Sequence, residues 1–318
     1  MAGETEPEGT SGQDEPTLEA IPDKIAEMVN VREEDDQIVV RAAAEAGAAF
    51  LCVIGPYAAM RVSPVEEIRP HIGLLDEFGV EVAISHVQAG TSPNTPVYLL
   101  VNSMGGTLSA SYKVARALVK AFPGRMTSFV PHIAASGGTI IAIAGKPIVM
   151  GSMSQLSPTD AQQYYKGAMV SCTTALRLFK RTSGWFEKKT EDEVPYPQRA
   201  LADKLDPLIM EEWSGAIAMS VGYVSDILEL GSYAKEEAEQ IAQMLVGGFH
   251  THEQVITPDT ARQIGLDVAD PENHARAWEV MRYWLARYVS RETPTHFFRY
   301  ALPPQGAKPA AEVSKDDA

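Results

Sequence analysis

Two short stretches carry residue types that could perform acyl transfer. VNSMGGTLSA, from Val101 to Ala110, places Gly105 and Gly106 directly after an apolar run, and PHIAASGGT, from Pro131 to Thr139, sets Ser136 among alanines and glycines. A serine hydroxyl can attack a carbonyl carbon, and the tetrahedral intermediate then needs hydrogen-bond donors for its oxyanion. Glycines let a backbone approach a substrate closely with its N–H groups, and a serine at a helix start sits among N–H groups that lack partners inside the helix. Preorganised donors of this kind are worth roughly 3 to 4 kcal/mol each. The same pattern also suits a plainer use, a serine N-cap beside a glycine-mediated helix contact.

The elements around these stretches put them on one edge of a sheet. VYLLVNS, residues 97 to 103, reads as a buried strand, and Leu108, Tyr112, Ala115, Val119 and Phe122 then recur at helical spacing. Pro123 and Gly124 stop that helix, MTSFVP begins the next strand, SGGTIIAIAG reads as a short buried helix, and PIVMG as a third strand. Two successive strand-helix-strand units predict an α/β fold with a mostly parallel sheet, and both glycine turns fall at the carboxyl ends of strands, where ligands bind in such sheets. From about Ala168 the pattern is helical, broken at KKTEDEVPYPQ and resumed as a long helical stretch through RALADKLDPLIMEEWSGAIAM. An α-helical C-terminal elaboration is therefore expected.

Composition narrows the function classes. The 318 residues, 45% of them hydrophobic and 22% charged, can bury one large core. A formal charge of −15 and the lack of clustered Lys and Arg argue against nucleic acid as a partner. Cys52 and Cys172 are the only cysteines, so no disulfide framework is implied, both read as small hydrophobes, and a reducing, cytoplasmic location is expected. Residues 1–20 and 301–318, rich in Gly, Pro, Ala and charge, read as flexible tails around a domain over 21–300. No stretch offers about 18 uninterrupted apolar residues, so no stable membrane insertion is expected. Neither a metal-ligand cluster nor a phosphate-binding glycine loop is evident, and no cofactor is implied.

The order of these pieces resembles the Clp protease and crotonase superfamily. NSMGG resembles the oxyanion turn of the Clp protease subunit, and IAASGGTIIAIAG resembles the nucleophile segment of that family and of signal peptide peptidase A. TPDTARQIGLDV, residues 257 to 268, is similar to the short helix that follows the core in these families. Overall the chain looks most like the serine dehydrogenase proteinase family, whose later segment carries a His, an acidic residue and then this helix, as THEQVIT does here. The resemblance covers roughly residues 60 to 290. It implies stacked βαβ units, Ser136 as nucleophile, the Gly137 N–H as one oxyanion donor and Gly105 or Gly106 as the other. It also implies a peptide or unfolded polypeptide substrate and a closed homo-oligomer.

The general base is less plain. A His follows the serine by some two dozen residues in the Clp pattern, but VMGSMSQLSPTDAQ holds none. Signal peptide peptidase A uses a Ser-Lys dyad, for which Lys188 in GWFEKKTED stands at a suitable remove, with Lys180 and Lys204 as substitutes; the same run also reads as a solvated charged surface. His132 precedes Ser136 by four residues, and His252 is followed by Glu253 as a possible orienter. Asp160 resembles an acidic position after the third strand in the family and either orients a base or N-caps a helix through AQQYY. Three functions compete: a serine endopeptidase acting through Ser136, a crotonase-like acyl-CoA enzyme that needs no nucleophile, and a catalytically silent assembly or binding subunit.

Overall fold

The computed structural model describes residues 32–33, 37–55, 60–63, 66–68, 71–187, 189–203, 206–289 and 297–304. Its centre is a sheet of strands β1 (Arg32–Glu33), β2 (Ala49–Ile54), β3 (Val97–Asn102), β4 (Met126–Val130), β6 (Ile148–Met150), β10 (Val268–Ala269) and β11 (Phe297–Ala301), with β5 (Ile133–Ala134), β7 (Gln155–Leu156), β8 (Gln162–Tyr165) and β9 (Ala168–Ser171) lying outside it. The order across the sheet is β1-β11-β2-β3-β4-β6-β10. Every adjacent pair is parallel except β11 with β2, where Arg299 faces Cys52 in antiparallel register. The fold is α/β with a mostly parallel sheet.

Alternation along the strands explains why both faces are covered. Leu51, Val53, Leu99 and Val101 point to one face, where they join helices α2 (Leu74–Gly90), α3 (Leu108–Ala121), α4 (Gly137–Ala142), α7 (Pro207–Leu230) and α8 (Lys235–Gly247) in the larger core. Phe50, Cys52, Ile54, Leu100 and Phe129 point the other way, against α1 (Gln37–Ala46) and α9 (Ala275–Val289). A parallel sheet clad on both faces needs strands without a polar side, and the burial of β2 at all six positions reflects this. Cys52 lies inside that wall.

The sequence from Ala168 onward departs from the helical reading. Ala168–Ser171 is strand β9, which pairs antiparallel with β8 (Gln162–Tyr165) across a two-residue turn. The turn residues Lys166 and Gly167 have φ of 49° and 88°, the paired left-handed geometry of a tight hairpin. Helix α5 (Cys172–Gly184) follows at once, its N-cap Ser171 accepting from the Thr174 N–H. The expected long helix is two, α6 (Tyr196–Ala202) and α7, because Asp206 caps α7 and Pro207 occupies its first turn. At the C-terminal end, Ala301 is a buried strand residue and Leu302 packs on the core. The rest of the two expected tails lies almost wholly outside the described residues.

Candidate functional site

Strand β4 ends at Val130, and the chain turns through Pro131 and His132 into the short strand β5 (Ile133–Ala134), which runs parallel to β7 (Gln155–Leu156). Ser136 follows with φ 51° and ψ −116°. The Gly138 N–H donates to the Ala135 carbonyl at 2.7 Å, so residues 135–138 form a tight turn of type II′ with Ser136 where glycine is preferred. A side chain there costs about 1 to 3 kcal/mol in backbone strain. Its hydroxyl makes no capping bond to helix α4, and the residue is only half-buried. The N-cap explanation of this serine therefore fails.

The glycine turn lies against this strained turn. The N–H of Ser103 donates to the Ile133 carbonyl at 3.0 Å, and the Ser103 carbonyl accepts the Ala135 N–H at 2.8 Å. Gly105 has φ 96°, and a Cβ on it would lie 2.6 Å from the Ala135 carbonyl oxygen and 3.0 Å from the Ser136 Cβ. Gly106 is equally confined, since a Cβ there would lie 2.2 Å from the Ile72 nitrogen. The two differ in their amides. The Gly105 N–H donates to the Ser103 Oγ at 3.0 Å and the Gly105 carbonyl accepts the Ile72 N–H at 2.9 Å, whereas the Gly106 and Gly137 N–H groups have no acceptor among the described residues. A Cβ on Gly137 would lie 3.1 Å from the Gly106 nitrogen, so these two uncommitted amides are close neighbours beside Ser136.

A carboxylate–histidine pair is assembled next to the same segment. His252 Nδ1 lies 2.6 Å from Asp160 Oδ1, and the Ser171 hydroxyl donates to Asp160 Oδ2 at 2.5 Å. Asp160 is buried and His252 partly so. An ionised carboxylate only accepts, so Nδ1 carries the proton in this pair and Nε2 is left as the basic nitrogen. Asp160 does not cap a helix, because the residues after it form β8. The thiol of Cys172, pushed up to about 11 by burial and then by the negative charge of Asp160, is held as an inert thiol.

Backbone pairing brings this pair toward Ser136. The Ser136 N–H donates to the Ser157 Oγ at 2.8 Å, and Asp160 is three residues beyond Ser157, a span of at most about 11 Å. Leu156 and Ile256 exchange two N–H···O bonds of 3.0 Å, which lays the loop carrying His252 along the same segment. Residues 156 to 160 thus touch both the Ser136 turn and the loop of its neighbouring histidine. The partner of His252 is Asp160 rather than the adjacent Glu253.

The other expected residues are placed differently. His132 is exposed, and its backbone carbonyl accepts the Gln155 N–H at 2.8 Å. Lys180 is exposed on α5, and Lys188 and Lys204 lie outside the described residues. Ser157, Thr139 and Ser171 were not singled out by sequence as parts of a site; the YKGA turn of the hairpin, Tyr165 to Ala168, was the one available signal for Ser171. An open groove of about 850 Å³, lined by Pro131, Met150, Met153 and Trp278 among others, includes none of Ser136, Gly106, Asp160 or His252. Among the described residues no cluster of three His, Cys, Asp or Glu could hold a metal, and no helix is long and apolar enough to cross a membrane.

Comparison with known proteins adds a family to this geometry. The sequence profile of the ClpP-like SDH-type serine proteinases matches residues 81–311. An uncharacterized protein of Methanocaldococcus jannaschii is 32% identical over 175 residues, 54% of this chain and 53% of that protein. A second uncharacterized protein of the same organism is 29% identical over 180 residues, 56% of this chain and 53% of its own length. The chain spans about half the length of the curated relatives it matches. Among solved structures, a serine-to-alanine mutant of the 1510-N membrane-bound stomatin-specific protease aligns at TM-score 0.38 and 14% identity over 63% of this chain and 75% of that one. A lysine-to-alanine mutant of that protease in complex with a substrate peptide aligns at 0.39 and 16% over 63% and 71%.

Proposed function

The chain belongs to the ClpP-like SDH-type serine proteinases, and we propose that it hydrolyses peptide bonds through an acyl-enzyme on Ser136. The observation that carries this reading is the backbone of Ser136, a non-glycine residue held at φ 51° with a hydroxyl that caps nothing. Strain of that kind is retained where a fixed side chain is needed. In the proposed reaction the Ser136 Oγ bonds to the scissile carbonyl carbon while its proton passes to His252 Nε2. The Gly106 and Gly137 N–H groups receive the oxyanion, and Asp160 stays ionised and holds the imidazolium. Collapse breaks the C–N bond as the amine takes the proton from His252, and water then hydrolyses the ester by the same route. This assigns the base to His252 in place of Lys188, and it assigns the second oxyanion donor to Gly106, since the Gly105 N–H already has an acceptor.

A histidine paired with a buried carboxylate, on the segment whose Ser157 accepts the Ser136 N–H, also weighs against the silent-subunit reading. We further propose endopeptidase action on unfolded polypeptide, a cytoplasmic location and a closed homo-oligomer. Light scattering that finds only a 34.5 kDa monomer at micromolar concentration overturns the last of these. The function itself is tested by incubating the purified chain with a reduced, carboxymethylated polypeptide. Wild-type protein is expected to produce internal cleavages that Ser136→Ala does not, and equal cleavage by the two overturns the assignment.

A further inference from the structure

A residue in the left-handed region keeps its conformation only while its surroundings dictate it, and the surroundings of Ser136 contain one side-chain hydrogen bond to its backbone. The turn is closed by Gly138 N–H to Ala135 O, and its start is tied to Ser103 by Ala135 N–H. Of the two remaining backbone donors of the turn, the Gly137 N–H has no acceptor among the described residues, and the Ser136 N–H goes to the Ser157 Oγ at 2.8 Å. Ser157 is itself gripped by Thr139. The Ser157 N–H donates to Thr139 Oγ1 at 3.2 Å, while that hydroxyl lies 2.9 Å from the Ser157 carbonyl and 2.7 Å from the Ala134 carbonyl, either of which can take its single proton. Ser157 is 5% exposed and Thr139 fully buried, so water cannot substitute for a lost partner.

We propose that Ser157, braced by Thr139, is the positioning residue of the nucleophile: its hydroxyl fixes the backbone of Ser136 and never touches substrate. The proposal rests on the reading of Ser136 as nucleophile. Relaxation of Ser136 out of its turn would strand the Ser157 oxygen without its donor in a buried site, so the bracket opposes relaxation. Because the chain runs on from Ser157 to Asp160 in three residues, the same bracket also references the nucleophile to the acid that holds His252. A group that aims the attacking oxygen without binding substrate affects turnover and leaves substrate affinity alone.

The test compares Ser157→Ala, Ser157→Thr and Thr139→Val by steady-state kinetics on an unfolded polypeptide and by hydrogen exchange at the Ser136 amide. In Ser157→Ala, kcat should fall by about ten- to a hundredfold with KM within about twofold, and the Ser136 amide should exchange at least about tenfold faster. Ser157→Thr retains the oxygen and should recover both, and Thr139→Val should repeat the Ser157→Ala pattern more weakly. If Ser157→Ala does not fold, Ser157→Cys, with a weaker acceptor of similar size, is read in its place. An unchanged kcat, a loss confined to KM, or an unaltered Ser136 amide overturns the proposal. A wild-type chain that cleaves nothing retires the hydrolase reading instead, and amide exchange alone then decides whether the bracket exists.

Discussion

Ser136 is held in place chiefly by backbone, whereas His252 and Asp160 are held by side chains. The Ser136 turn rests on main-chain bonds among residues 103, 133, 135 and 138, on glycines whose missing Cβ atoms leave room for it, and on a single side-chain brace, the Ser157 hydroxyl. The His252–Asp160 pair joins residues 92 apart, and its geometry depends on a 2.6 Å contact plus one hydroxyl from a hairpin. A backbone frame tolerates most side-chain substitutions but stores strain; a side-chain network stores little strain but fails when any member is removed. The two halves should therefore answer mutation in opposite ways, the first by trading stability against activity and the second by losing activity at nearly constant stability.

The largest effect belongs to the first half. Ser136→Gly should reduce hydrolysis by roughly 10⁴-fold or more while raising stability by about 0.5 to 2 kcal/mol, since glycine adopts this conformation freely. Urea unfolding beside an activity assay measures both, and a less stable Ser136→Gly chain would show that the turn is unstrained. Next in size, His252→Ala and Asp160→Asn should each lower kcat by about 10² to 10⁴ with unfolding midpoints little changed, and the double variant should be no worse than the weaker single one. Additive losses would mean that the two residues do not act as a unit.

The smallest effect probes the support under the glycine turn. Asp76, in the first turn of α2, accepts the Gly73 N–H at 2.6 Å, and the neighbouring Ile72 holds the carbonyl of Gly105. Burial, which outweighs that hydrogen bond, pushes the Asp76 carboxyl up to about 6 from 3.8. The folded chain thus keeps a proton there that the unfolded chain has lost, so this group's contribution falls as pH rises from about 4 to about 6 and is flat above. Asp76→Asn removes the cost. It should be more stable than wild type by on the order of 1 to 3 kcal/mol at pH 8, with the gap closing by pH 4. Equal stability of the two chains at pH 8 would show that the carboxylate is better solvated than its burial suggests.

How much of this could be read from sequence follows the same division. The strand, glycine turn and helix from Val97 to Ala121, and the turn at Ser136, are local patterns of apolar spacing and glycine, and the structure has them where those patterns put them. What stayed illegible was assembled from afar. Asp160 suited a helix cap as well as a base partner until the hairpin after it was known, and nothing in a spacing of 92 residues points from it to His252. The hairpin itself had a signal, Lys166-Gly167 between Tyr165 and Ala168, but Gln162 to Tyr165 lacks the alternation that marks a strand. The break before α7 was legible in Asp206-Pro207 and was masked by strong helix formers on both sides. Gly105 and Gly106 looked interchangeable because only the direction of their amides separates them.

Activation of Ser136 by His252 would set the rate at which a fluorophosphonate modifies Ser136, mapped by peptide mass spectrometry in the wild type, His252→Ala and Lys188→Ala. Modification is expected at Ser136 alone, slowed at least about a hundredfold in His252→Ala and unchanged within about twofold in Lys188→Ala. Wild-type rates in His252→Ala with loss in Lys188→Ala would overturn this assignment and return the base to lysine.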